Sequence, residues 1–239
     1  LDARRFKNWW FETGTPTFLL ELLKRHPVEF GDLELPEHAF SVYEPEAPAV
    51  LPLLVQTGYL TIKEARRDGM MSIYRLDYPN REVASSFSYH LAEQAADGWR
   101  EPEMEGFVGG MTRALRGGDA AGMVERLKTF FAAVPYDISL PSEKYWQSLF
   151  YAVFLLLGAR VEAEVRTNLG RIDAVVRVPG FVYVFEFKIR GTSSAALAQI
   201  KERRYYERYL SSGDRVVLVG AGFSLKTRNV VRPKVEVVA

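Results

Sequence analysis

Residues 171–189 constrain the fold more than any other stretch of this chain. Arg171 to Val178 is rich in β-branched residues, Pro179-Gly180 is a turn pair, and Phe181 to Ile189 is a second run of strand-forming residues. Two such runs across a Pro-Gly turn predict a β-hairpin, with Gly170 permitting a tight turn into the first strand. The second run is apolar or aromatic at every position up to Phe185, as expected of a strand covered on both faces. Glu186 and Lys188 then break the pattern. They are two residues apart and therefore on the same face. Opposite charges at the end of a covered strand have two readings: an ion pair that closes the strand, since buried charges survive by pairing, or a working pair with a ligand.

The chemistry that uses such a pair is metal-assisted phosphodiester hydrolysis. Mg²⁺ takes one or two carboxylates and keeps several waters for substrate contact, and Asp173 and Glu186 supply two carboxylates on successive strands. Lys188 beside them would orient or help deprotonate the attacking water and offset charge building on phosphorus, while the metal polarises the phosphoryl oxygen.

Gly170-Arg171-Ile172-Asp173-Ala174-Val175-Val176, Tyr183-Val184-Phe185-Glu186-Phe187-Lys188 and Ala198-Gln199-Ile200 followed by Tyr205-Tyr206 resemble the PD-(D/E)xK nuclease superfamily. The nearest likeness is to the nuclease-like domain at the C-terminus of a family of AAA-ATPase-like prokaryotic proteins. The resemblance implies that Asp173, Glu186 and Lys188 hold Mg²⁺ or Mn²⁺ and activate water, with the Phe187 backbone carbonyl able to join as a ligand. It matches Gln199 to a glutamine on the helix after the strand pair and Glu143 to an acid on the preceding helix. Glu143 has a second reading, because a carboxylate in a first helical turn is favoured by the helix dipole without any metal. The implied substrate is DNA, and the implied partner is an AAA-type ATPase domain of a longer parent chain. One departure is Ile172, which stands where the superfamily's name has proline; the subgroup commonly lacks that proline. The likeness runs from about Ser142 to the C-terminus. It leaves open a catalytically silent nuclease-fold module that binds nucleic acid or protein, because fold does not determine activity.

Cysteine is absent from the 239 residues, which excludes disulfides, thiolate zinc sites and cysteine nucleophiles and makes the cytoplasm the expected location. No run approaches the roughly 18 apolar residues of a membrane span, so no membrane partner is expected. His26, His38 and His90 are scattered, and no Gly-x-x-x-x-Gly-Lys-Ser/Thr loop is present to cradle phosphates. The start, Leu1-Asp2-Ala3-Arg4-Arg5, reads as a fragment of something longer. Residues 1–135 hold 15 Lys and Arg against 20 Asp and Glu, and residues 136–239 hold 16 against 10. A basic C-terminal part suits a nucleic-acid-facing domain, and equally a solvated surface.

Before the hairpin, Thr15 and Pro16 announce a helix bearing Phe18, Leu19, Leu22 and Leu23, and a second helix is expected from about Ala49 to Gln56. Strands at 59–63 and 72–76 flank Asp68-Gly69, a hairpin signal. Helix, helix, hairpin is the order of a winged helix, whose tip would carry Arg66 and Arg67. Helices are expected over 86–97, 106–117 and 119–134, with Glu101, Glu103 and Glu105 in a loop with Pro102. From Ser142 the order becomes helix, three strands, a helix from Ser193 through Leu210, a strand at 215–219 and a last one at 235–238. The expected fold is therefore α/β: a winged-helix-like subdomain (1–84), a helical connector (85–135), and a restriction-endonuclease-like αβββαβ core with a central mixed sheet (136–239).

Overall fold

In a computed structural model, which describes residues 22, 23, 25, 26, 28, 33–40, 49–96, 98–134, 143–167, 170–189, 191–224, 226, 227 and 229–238, the first half of the chain pairs a small sheet with helices. Strand β1 (Leu33–Pro36) leads into a 3-10 turn at Glu37–Phe40, and helix α1 (Val50–Gln56) precedes the hairpin of β2 (Thr61–Asp68) and β3 (Met71–Asp77). The strand order is β1-β3-β2, all antiparallel. Gly69 takes φ 61° at the hairpin tip, where a side chain would be strained. Arg66, on β2 three residues before Gly69, donates to Glu34 at 2.8 Å and to Asp68 at 3.4 Å. The expected helix at Thr15-Pro16 and the linker at 135–141 lie outside the described residues.

Helix α2 (Arg81–Ala95) begins earlier than its apolar pattern suggests because the Asn80 side chain accepts the Val83 N–H at 3.0 Å, a side-chain N-cap. Helix α3 (Glu101–Gly117) corrects the expected acidic loop. Pro102 falls in the first turn, where a missing N–H loses nothing, and the Glu103 carboxylate accepts the Arg100 N–H at 3.0 Å. The alternating acids thus start a helix, where the dipole favours negative charge. Asp119 caps α4 (Ala120–Ala132) through the Gly122 N–H at 2.8 Å.

The second half supplies α5 (Glu143–Leu156), then β4 (Arg160–Thr167), β5 (Gly170–Val178), β6 (Phe181–Ile189), α6 (Ser193–Glu202), a 3-10 turn at Glu207–Ser212, β7 (Arg215–Ser224) and β8 (Asn229–Val237). Their sheet runs β4-β5-β6-β7-β8. The β5–β6 hairpin is antiparallel as expected, and β7 joins β6 in parallel by way of α6. Helix α6 stops eight residues short of its expected end. Arg204 at φ 50° turns the chain, and Tyr205 and Tyr209 then fold onto the sheet, 3% and 1% exposed.

Both faces of β6 are covered, which explains its unbroken apolar run. On one face Phe150 and Phe154 of α5 meet Phe185 with ring centroids 5.0 and 5.6 Å apart. On the other, Val182 and Val184 pack with Val175, Ile200, Tyr205 and Tyr209. Full burial of each such apolar side chain contributes about 1.5–3 kcal/mol. The first face continues without a break into the core of the N-terminal half, where Phe87, Met104 and Phe130 belong to the same cluster. Tyr183 spans the junction, its hydroxyl donating to the Leu115 carbonyl at 2.6 Å. Among the described residues no helix is long and apolar enough to cross a membrane.

Candidate active site

The β5–β6 ladder pairs Val178 with Phe181 and continues to Ala174 opposite Phe185. One step further a side chain takes over from the backbone: Asp173 Oδ2 accepts the Phe187 N–H at 2.6 Å. By strand alternation Asp173 shares the face of Val175, and Glu186 and Lys188 share that of Val184, so all three lie on the face covered by α6. Three of the residues singled out from the sequence therefore meet at one end of one hairpin.

Glu186 is only 2% exposed. Its Oε1 accepts from Lys188 Nζ at 3.2 Å and from Gln199 Nε2, whereas its Oε2 is buried without a hydrogen-bond partner. Burial, and then the negative charge of Asp173, push the Glu186 carboxyl up to about 7, against the opposing pull of Lys188 and Gln199. The Lys188 side chain is 32% exposed against 3% for Glu186, so the ion pair has one wet end and one dry end.

Gln199 reaches Glu186 because α6 lies almost against the sheet, and two glycines permit this. Gly220 and Gly222 of β7 stand beside Glu186 and Lys188 in the parallel register. A Cβ on Gly220 would sit 2.5 Å from the Leu197 backbone N and closer still to the Ser193 carbonyl, so only glycine fits. The Ser193 hydroxyl fastens the same helix end, accepting the Gly222 N–H and donating to the Val231 carbonyl, both at 2.7 Å. The sequence reading passed over Gly220, Gly222 and Ser193. The available signal was Gly-x-Gly inside a β-branched run, the mark of a close backbone approach.

Glu143 opens α5, and its side chain lies outside what is described. Among the described residues no three His, Cys, Asp or Glu side chains form a metal cage. The two carboxylates present nevertheless suit a hard divalent cation. Two acids that repel each other, one buried with an orphaned oxygen, are relieved by positive charge, and Mg²⁺ needs only one or two carboxylates besides water.

Residues 141–233 match the family model of the PD-(D/E)XK nuclease superfamily, and this segment belongs to that superfamily. Its mixed sheet between α5 and α6 is accordingly a restriction-endonuclease-like core. The chain is also 36% identical, over 249 residues, to a protein of Azotobacter chroococcum mcd 1 described as "Uncharacterized protein in vnfD 5'region". That match covers 98% of this chain and 47% of the relative, so the chain spans about half the relative's length. No solved structure matches.

Proposed function

We propose that this chain is the nuclease part of a larger, ATPase-linked protein of the cytoplasm and hydrolyses DNA phosphodiester bonds with Mg²⁺ or Mn²⁺. The observation that carries this reading is the buried Glu186, its Oε2 orphaned, held by Lys188 and Gln199 beside Asp173. Asp173, Glu186 and the Phe187 carbonyl would hold the cation, which when bound supplies Lewis-acid polarisation of a phosphoryl oxygen. Gln199 fixes the Glu186 carboxylate, and the half-wet Lys188 ammonium orients the attacking water and offsets charge developing on phosphate oxygens. Glu143 serves as a further acid from the preceding helix. Arg203, Arg204 and Arg208, exposed just after α6, supply phosphate contacts on the same side of the sheet.

A second reading, a silent nuclease-fold module, is favoured by the same ion pair: the Lys188 contact at 3.2 Å already satisfies one Glu186 oxygen without metal. Calorimetric titration with Mg²⁺ and Mn²⁺, beside an assay on linear, nicked and single-stranded DNA, separates the two. Metal binding and cleavage that both vanish in Asp173→Ala are expected. A folded wild-type protein that neither binds metal at millimolar concentration nor cuts any of the substrates leaves only the second reading.

A further inference from the structure

A cleft of about 800 Å³ opens where the N-terminal half meets the Pro179-Gly180 end of the β5–β6 hairpin. It lies about four residues, or roughly 13 Å, along β5 from Asp173, at the end of the strand pair away from the acids. Five arginines line it, Arg75, Arg81, Arg116, Arg160 and Arg177, against two carboxylates, Asp77 and Glu162. Arg160 and Arg177 share the single Glu162 carboxylate at 3.3 and 4.0 Å, which leaves this trio net positive. Arg81 and Arg116 have no ion-pair partner among the described residues. The Arg177 guanidinium lies over the Tyr209 ring at 4.9 Å, on the α6 side of the sheet, with its Nε buried and without a hydrogen-bond partner.

Guanidiniums lining one cleft, two of them without an ion-pair partner among the described residues, call for a compact polyanion, because the guanidinium fork matches phosphate bidentately. We infer that this cleft binds a nucleoside polyphosphate at a site separate from the acids of the hairpin. Its phosphates would lie nearest Arg81 and Arg116; Arg75 is already held by Glu64, so the five arginines stand against three carboxylates, an excess of two positive charges that suits a phosphate-bearing ligand. The wall of Leu76, Leu155 and Val161 suits a base, and the two lining carboxylates suit sugar hydroxyls or an exocyclic amine. The volume lies within the roughly 300–1,000 Å³ of small-molecule sites. This inference does not depend on the chain being a nuclease.

The test is calorimetry on the full chain with ADP, inorganic pyrophosphate, adenosine and a short oligothymidylate, with folding followed by thermal melts. ADP and pyrophosphate should bind and adenosine should not. Arg81→Ala with Arg116→Ala strips no carboxylate of its partner and should preserve the fold while weakening ADP by roughly tenfold or more, the scale of a lost charge-assisted hydrogen bond. Glu186→Gln should leave ADP binding unchanged. Wild-type protein that ignores ADP at millimolar concentration overturns the inference, as does equal ADP affinity in the folded double variant. Arginine-dependent binding of the oligothymidylate in the absence of any ADP binding would make the cleft a strand path and would also overturn it.

Discussion

The β2–β3 hairpin and the end of β6 both carry acid–base pairs, and the closer contacts are not the ones with the larger consequence. Arg75 meets Glu64 at 2.5 Å and Arg66 meets Glu34 at 2.8 Å, all four side chains being well exposed, whereas Lys188 meets Glu186 at 3.2 Å with Glu186 dry. The Glu64 carboxyl is held below its ordinary range by Arg75, and that of Glu186 is driven above it by burial and by Asp173. Separation alone does not rank ion pairs. What ranks them is how much water each charge has lost and whether the partner replaces it.

The largest effect expected from breaking this contrast is on activity. Asp173→Ala should abolish cleavage and metal binding together, and Lys188→Met should keep metal binding while slowing cleavage by a factor of about 10² or more. Undiminished cleavage by a folded Lys188→Met protein would refute the role given to the lysine. Next comes the acidity of Glu186. Its folded value of about 7 exceeds its ordinary 4.5, so the unfolded chain gives up the proton first and the metal-free fold loses stability as pH rises between those values. The loss is on the order of 3 kcal/mol, and melts of metal-free protein at pH 5 and pH 8 should show higher stability at the lower pH. Glu186→Gln should flatten that difference; an unchanged pH dependence would place its origin elsewhere. Gly220→Ala should follow, destabilising by about 1–3 kcal/mol as overpacking does, and slowing cleavage because α6 must shift and carry Gln199 away from Glu186. The smallest effect belongs to the hairpin: Arg66→Ala should leave the melting midpoint unresolved from wild type, since both of its partners remain solvated.

The parts of this fold set by short-range rules were legible. Pro179-Gly180 and the β-branched runs around it define the hairpin, and the two-residue spacing of Glu186 and Lys188 puts them on one face, as observed. Elements set by a single cap or backbone angle were read less well: Asn80 starts α2 before its apolar stripe, Pro102 starts α3 inside what reads as a loop, and Arg204 ends α6 where the sequence alone continues it. The partnership of Gln199 with Glu186 is long-range, formed by stacking a helix on a strand. Nothing in local periodicity encodes it beyond a pair of glycines whose role appears only once β7 is placed.

That stacking has a consequence for how the protein tolerates change. Because backbone rests on backbone where α6 crosses Gly220, the height of the helix above the sheet is set there by the main chain and by the buried Ala196 and Ile200, not by the outward-facing side chains. Exposed α6 positions such as Ser194, Ala195 and Ala198 can vary while Gln199 keeps its place. A saturation scan of 193–224 should therefore show broad permissiveness along the outer surface of the helix and near-complete intolerance at Gly220.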